Sequence, residues 1–312
     1  MKKRLQNKVA DSWQSLPIVA AYAVGCWLLC GGVQENWWLQ FGCLAISAYL
    51  MTIMSERYAL IRVYSRMLPC SFIALSCMAC FLFPSLHGAI AQLFVVAAYL
   101  ILFQTYQDTA SAGTTYYGFL CIGLASMANV HILFFLPLLW LLLWSCLQTL
   151  SWRTFFASLL GVLTPYWFAG CWLIYQEDFM PLAEHFARLG DFQTFFDFSV
   201  LSVGQIATFI LIVVFSAIGA IHFWHTSYLD KIRIRHLYSF FIRMNLLTFL
   251  FICLQPQHYD FLIRLAIINT APLMGHYLSL TRSRLSNFIF CCMVLLTLAL
   301  TTFNIWMLLL PF

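Results

Sequence analysis

The chain has 312 residues, of which 63% are hydrophobic and 9% charged, and its formal net charge is +5. A soluble protein of this length carries about a quarter charged residues and could not hide so much apolar surface in one core. Lipid is therefore the expected solvent, and membrane lipids are the first expected partners. The basic residues are dispersed over short loops, so we predict no nucleic-acid partner.

Eleven apolar segments follow one another along the chain, most of them near the length of roughly 17–25 residues that crosses a bilayer. The predicted spans are 16–31, 37–53, 68–83, 89–103, the two halves of 116–147, 155–175, 203–223, a short segment ending at 254, 261–277 and 288–310. The basic N-terminus followed by an apolar run is also typical of a signal peptide, but we expect it to be retained as the first span.

These segments predict an all-α fold, a polytopic transmembrane helix bundle of about eleven spans. We expect a single transmembrane domain over 1–312, without a soluble domain. Its longest outer loop is 176–202, and its inner segment 224–243 alternates bases with apolar residues, as interfacial helices do.

The segment 116–147 allows two interpretations. It is too long for one ordinary span and short for two, and Asn129 and His131 mark a polar centre. With a turn at this centre, Arg153 and most later basic residues fall on the same side as the N-terminus, whereas one long helix would place them on the other side. Because basic loops stay in the cytoplasm, a helical hairpin is the predicted arrangement.

With this hairpin, fourteen of the sixteen Lys and Arg residues fall in every second loop. The pattern predicts a cytoplasmic N-terminus and an outer C-terminus. Only Arg188 and Arg264 fall on the outer side, which makes them candidate functional residues.

Arg264 is the strongest of these candidates, because charged groups at membrane depth are costly. It lies about one turn into a span and four residues after Asp260, so both share one helix face. One interpretation is an arginine that reaches outward to the headgroups and pairs with Asp260. The other is an anion site for a phosphate headgroup, in which Arg264, Arg188, Asp260 and His258 bind the substrate.

Two outer residues are candidate catalytic groups. His185 stands between Glu184 and Arg188 in the longest outer loop and could act as a base. Glu35 is the acid of the first outer loop, where large membrane glycosyltransferases of the C-type fold keep a catalytic acid. Their loop is long, however, whereas this one has about five residues.

Neither a metal nor a cofactor is predicted. The outer histidines have no metal-motif spacing, and the chain contains no nucleotide-binding fingerprint. All twelve cysteines lie within or beside apolar runs. Cys77 and Cys80 form a C-x-x-C sequence inside a span, which allows redox or metal chemistry but is interpreted as apolar packing.

Two motifs resemble a known family. Arg153 is followed by Gly161 and Pro165 in an R-x(7)-G-x(3)-P pattern, and Ala-Pro-Leu-Met-Gly-His-Tyr at 271–277 precedes the last apolar helix. Together they resemble a family of polytopic inner-membrane proteins from Bacteroidota. That family has no established activity, so the resemblance implies no catalytic residues. Its layout is similar to that of envelope glycosyltransferases and polysaccharide polymerases, which is a fold-level analogy.

Three functions are compatible with the sequence. The first is envelope biogenesis on a lipid-linked or polysaccharide substrate at the outer face, as a transferase if the protein is an enzyme. The second is a non-enzymatic subunit or scaffold that organises other membrane subunits. The third, a transporter, would need paired charges near the midplane, where the polar groups are mostly neutral.

Overall fold

The computed structural model describes residues 4–192 and 194–309. In this part of the chain every regular element is a helix, which confirms the all-α class. The α-helices of the described residues are α1 (Leu5–Ala10), α2 (Ser15–Leu29), α3 (Trp38–Arg57), α4 (Met67–Met78), α5 (Leu86–Leu102), α6 (Ala112–Ala128), α7 (Leu136–Leu142), α8 (Trp152–Tyr175), α9 (Met180–Ala187), α10 (Val203–Thr226), α11 (Ile232–Leu254), α12 (Tyr259–Leu280) and α13 (Arg284–Leu309).

Eight helical segments of the described chain are long and apolar enough to cross a membrane, as expected for a multi-pass membrane protein. They are Trp38–Arg57, Leu86–Thr105, Val130–Leu147, Trp152–Tyr175, Val203–Leu229, Ile232–Leu254, Pro256–Leu280 and Arg284–Leu309. The predicted count of eleven rests in addition on the shorter helices α2, α4 and α6.

The inner segment 224–243 differs from the expected interfacial loop. It contains the end of α10, a short turn and the first half of α11, which runs without interruption from Ile232. The basic residues at the start of α11 do not interrupt this helix. Arg233, for example, donates to the backbone carbonyl of Phe103 at 3.0 Å.

The segment 116–147 is a helical hairpin, as predicted. α6 ends at Ala128, Asn129 is extended, and a second helical segment runs from Val130 to Leu147. The hydroxyls of Ser111 and Thr149, which flank the two segments, lie 3.3 Å apart. The chain therefore returns to the end of the bundle from which it came.

α12 forms the centre of the bundle. Every residue in its most apolar stretch is buried, and it packs against α4, α5, α10 and α11. Polar side chains fix its position, since Asn245 of α11 donates to Ser216 of α10 at 2.7 Å and to Thr270 of α12 at 2.9 Å. Such bonds between helices are favourable in lipid, where water offers no alternative partner.

The loops divide between two ends of the bundle. One end, which we call the basic end, holds residues 58–66, 106–111, 148–151, 227–231 and 281–283. The opposite end holds residues 30–37, 79–85, 129, 176–192, 194–202 and 255–258. Contacts unite each group, for example between Gln107 and Gln148 at the basic end, and between Gln257 and the Asp191 carbonyl at the opposite end.

α6 and α8 approach each other closely through glycines. A Cβ atom at Gly161 would lie 2.5 Å from the carbonyl oxygen of Tyr116, and one at Gly123 would lie 2.8 Å from that of Val162. Close helix packing is therefore present around Gly161. Small residues of this kind allow helix backbones to meet in membranes.

Candidate functional site

Arg264 is buried in the bundle at the opposite end. Its terminal nitrogens donate to Oε1 of Gln92 at 3.1 Å and to the backbone carbonyl of Leu82. Oδ1 of Asp260 lies 3.7 Å from the guanidinium, and only 6% of the Arg264 side chain is exposed, against 47% for Asp260. The expected pairing with Asp260 exists, but Arg264 points into the protein rather than outward to the headgroups.

The space beside Arg264 is small. A cavity of about 20 Å³ is lined by Arg264, Gln92, Gln40 and neighbouring apolar side chains. Such a volume holds about one water molecule, and Nε of Arg264 has no protein partner among the described residues. A water molecule fits this position, whereas a phosphate headgroup needs far more room. The substrate-binding roles of Arg264 and Asp260 stay predictions.

The Arg264–Asp260 pair packs directly against Gly88, where the absence of a side chain makes room for it. A Cβ at this position would lie 2.5 Å from Nε of Arg264 and 2.6 Å from Oδ2 of Asp260. Since Arg264 is fixed by Gln92, we expect Gly88→Ala to lower the free energy of unfolding by about 1–3 kcal/mol, as overpacking does. Detergent unfolding curves test this. Gly42→Ala is the control because a Cβ there meets nothing within 4 Å, and equal curves for both variants would contradict the expectation.

Two histidines from distant parts of the chain meet at the opposite end. The rings of His131 and His258 lie 3.6 Å apart between centroids. Nε2 of His131 is 3.0 Å from the backbone carbonyl of Arg188, and its Nδ1 is 3.1 Å from Oδ1 of Asn129. The Arg188 side chain itself is exposed, so Arg188 enters this cluster through its backbone.

His185 lies near this cluster but has different partners. Its Nε2 is 3.3 Å from the Tyr166 hydroxyl, which is 2.8 Å from the Ser126 hydroxyl. Burial lowers the pKa of His185 below its ordinary value, so the imidazole is neutral at pH 7. A neutral imidazole can accept a proton, and the catalytic role of His185 stays a prediction.

The predicted site residues do not form one site. Arg264 and Asp260 pair beside α5, His258 and the Arg188 backbone meet at His131, and Glu35 lies on an exposed turn between α2 and α3. No cluster of three or more His, Cys, Asp or Glu residues in the described chain could hold a metal ion.

The basic end contains a buried charge network that the sequence analysis missed. Asp230, between α10 and α11, has a fully buried side chain. Its Oδ1 lies 2.8 Å from Nε of Arg62, in the loop after α3, and its Oδ2 lies 3.2 Å from Nε2 of His276 on α12. One carboxylate thus joins two positively ionisable groups, one from a loop and one from α12.

His276 is enclosed by aromatic rings. The centroids of Tyr238, Phe223 and His222 lie 4.9, 5.5 and 5.4 Å from that of His276, and its own exposure is 0%. This packing fixes the imidazole against Asp230. The carboxylate is therefore held from one side by a rigid partner, and Arg62 is held in turn by the carboxylate.

Arg62 faces a cavity at the basic end. The cavity has a volume of about 260 Å³, which is close to the lower limit of typical ligand pockets. The end of α3 and the following loop form its walls, with Arg62, Arg66, Glu56, Tyr64 and Ser65 among the lining residues. Arg66 lies over the Tyr64 ring and donates to its hydroxyl at 3.1 Å. Two oriented guanidinium groups in one cavity can bind an anion through charge-assisted hydrogen bonds.

The signal for this network in the sequence was weak. Arg62 and Arg66 were counted as topology markers, Asp230 was one acid among the bases of an inner segment, and His276 lay inside an apolar span. A buried histidine and a lone acid beside a basic loop become informative only when the fold brings them together.

No protein family, no curated protein and no solved structure matches this chain. The resemblance to the Bacteroidota family stays a prediction. The functional inference therefore rests on the geometry of the chain itself.

Proposed function

We propose that the protein binds the anionic headgroup of a phosphate-bearing lipid or lipid-linked substrate at the basic end of its helix bundle. The cavity lined by Arg62 and Arg66 carries this proposal. Arg62 uses Nε to contact the buried Asp230, an arrangement that orients the rest of its guanidinium without occupying it. Phosphate oxygens match the planar fork of arginine.

The proposal keeps the substrate class suggested by the sequence, namely a lipid-linked component of the cell envelope, but assigns a different site. The cavity beside Arg264 has a volume of about 20 Å³, whereas the cavity beside Arg62 has a volume of about 260 Å³. We further propose that the basic end faces the cytoplasm of a bacterial inner membrane, with eleven crossings and an outer C-terminus. The accumulation of Lys and Arg in the loops of this end supports the orientation.

A scaffold subunit is the second proposed function, and α8 favours it. This helix packs chiefly on α6 and leaves large aromatic side chains, including Trp167, Phe168 and Trp172, exposed. In a membrane this face meets lipid tails or the helix of another subunit. Co-purification of a stable partner that depends on this face would support the scaffold.

Lipid retention by the full-length chain in nanodiscs tests headgroup binding. Nanodiscs containing phosphatidic acid diluted in phosphatidylcholine present the phosphate monoester, and native mass spectrometry counts the retained lipids. We expect Arg66→Gln to weaken retention of phosphatidic acid about tenfold or more, since a hydrogen bond to a charged group contributes about 1.5–3 kcal/mol. Glycerol 3-phosphate as a competitor shows whether the headgroup alone is sufficient.

Arg153→Gln is the matched control, because Arg153 is an exposed base at the same end of the bundle but does not line the cavity. Arg62→Lys provides a second variant that keeps a positive charge opposite Asp230. Unchanged retention in Arg66→Gln with a wild-type melting temperature would refute the proposal. Equal losses in Arg66→Gln and Arg153→Gln would show that binding depends on surface charge alone.

A further inference from the structure

The cavity at the basic end has two walls of different chemistry. The loop after α3 supplies its two arginines, Arg62 and Arg66. The last turns of α3 supply three residues with side-chain oxygens, Thr52, Ser55 and Glu56. Their i, i+3 and i+4 spacing places these three residues on one face of the helix. The headgroup binding proposed above uses the arginines, so the oxygen-bearing wall has no role in it.

The α3 wall presents hydrogen-bond acceptors. The Thr52 hydroxyl donates its hydrogen to the carbonyl of Ala48 at 3.0 Å, which leaves its oxygen free to accept. A carboxylate accepts hydrogen bonds without donating any, and Glu56 takes part in none of the ion pairs of the described residues. The wall also lies at the C-terminal end of α3, where the helix dipole favours a positive charge. A cation with several N–H donors therefore suits this wall.

The arginine wall is fixed by contacts with other parts of the bundle. Nε of Arg62 lies 2.8 Å from the Asp230 carboxylate. The Ser65 hydroxyl donates to the carbonyl of Ala10 at 2.9 Å and accepts from the hydroxyl of Ser279 at 2.9 Å. These bonds tie the loop to α1 and α12. The two walls therefore hold groups of opposite charge in one cavity, and the positions of the basic groups do not depend on a ligand.

The size and lining of the cavity restrict the cation. Its volume of about 260 Å³ lies near the lower limit, roughly 300 Å³, of ligand pockets, so a small headgroup fits. A trimethylated ammonium has no N–H group and is typically bound by a cage of aromatic rings. Among the described residues that line the cavity, Tyr64 alone is aromatic, and the Arg66 guanidinium lies 5.9 Å from its ring centroid. A primary ammonium, with three N–H donors, matches the acceptors of α3.

We propose that the headgroup bound in this cavity carries a primary ammonium beside its phosphate, as a phosphoethanolamine headgroup does. Arg62 and Arg66 bind the phosphate oxygens. The Glu56 carboxylate and the hydroxyls of Thr52 and Ser55 accept the N–H groups of the ammonium. This assignment rests on the proposed headgroup binding, because the phosphate is what brings a cation between two arginines.

Lipid retention in nanodiscs of phosphatidylcholine tests the assignment on the full-length chain. The nanodiscs contain either phosphatidylethanolamine or phosphatidylglycerol, which share the phosphodiester, whereas ethanolamine alone carries the ammonium. Native mass spectrometry counts the retained lipids. We expect the wild-type protein to retain phosphatidylethanolamine about tenfold more strongly, since hydrogen bonds to charged groups are the stronger ones. Glu56→Gln should abolish this preference by weakening retention of phosphatidylethanolamine, without weakening that of phosphatidylglycerol.

Asp108→Asn is the matched control. Asp108 is an exposed acid in a loop of the same end, it does not line the cavity, and its replacement also removes one negative charge. This variant should keep the wild-type preference. Glycerophosphoethanolamine, added as a soluble competitor, distinguishes a lipid from a free phosphoamine. Binding of the soluble compound without retention of the lipid would assign the site to the free phosphoamine and keep the ammonium contact.

Two outcomes separate this assignment from the proposed function. Equal retention of the two lipids by the wild-type protein, with phosphatidic acid still lost in Arg66→Gln, would overturn the ammonium assignment and leave headgroup binding intact. A preference that persists in Glu56→Gln would also overturn it. If Arg66→Gln retained every lipid as the wild-type protein does, headgroup binding and the ammonium assignment would both be refuted.

Discussion

Replacement of Asp230 by alanine is expected to lower the free energy of unfolding by about 3–5 kcal/mol. The side chain is fully buried and contacts both Arg62 and His276. Its removal leaves Arg62, only 29% exposed, without its buried counter-charge, and leaves Nε2 of His276 without an acceptor. The cost of an uncompensated buried charge is larger than the net contribution of the intact pair.

Unfolding curves of the purified protein in mixed micelles measure this effect. Glu184→Gln is the control, since Glu184 is an exposed acid of the loop 176–202 and its replacement also removes one negative charge. Asp230→Asn should give an intermediate result, because the amide oxygen still accepts a hydrogen bond while the charge is absent. A stability of Asp230→Ala equal to that of the control would show that the network contributes little.

Replacement of Gly161 by leucine is expected to destabilise the protein by about 1–3 kcal/mol or more, as overpacking of a close interface does. Even the Cβ atom would lie 2.5 Å from the backbone oxygen of Tyr116 and 3.0 Å from the backbone nitrogen of Leu120. Backbone atoms cannot rotate away, so α6 and α8 must separate, and the adjoining contact at Gly123 is lost with them.

Gly170→Leu is the matched control on the same helix, because a Cβ at Gly170 meets nothing within 4 Å. Both variants replace glycine, a weak helix former, by leucine, a good one. The difference between their free energies of unfolding therefore reports the contact of α8 with α6. Unfolding in mixed micelles gives the stabilities. If Gly161→Leu were as stable as Gly170→Leu, the close approach of α6 and α8 would not contribute to stability.

Much of the helical architecture could be predicted because apolar length and charge distribution are local properties of the chain. The hairpin at Asn129 could be predicted only with the positive-inside rule, because a turn there places the later basic residues on the same side as the N-terminus. The start of α11 was missed because bases at one end of a helix resemble a loop in the sequence. In the fold, Arg233 binds the Phe103 carbonyl and the helix continues.

The sites were harder to predict because their partners are distant in sequence. Arg62, Asp230 and His276 come from three parts of the chain, and the contacts between their side chains join residues that are far apart in sequence. Arg264 illustrates the reverse case, because its local partner Asp260 was predictable. The burial of Arg264 could not be predicted, because it depends on Gln92 of α5 and on Leu82, which lies between α4 and α5. Side chains that act through tertiary contacts leave no periodic signal.

The central position of α12 has a consequence for how the protein is made. Its segment, Pro256–Leu280, has the lowest mean hydropathy of the eight candidate spans in the described chain. The helices that enclose it, α4, α5, α10 and α11, are all synthesised earlier. We expect α12 to leave the insertion machinery directly into a preformed protein groove, because its polar side chains would meet partners there rather than lipid. Biogenesis of this protein would then depend on the first eleven helices remaining loosely assembled until α12 arrives.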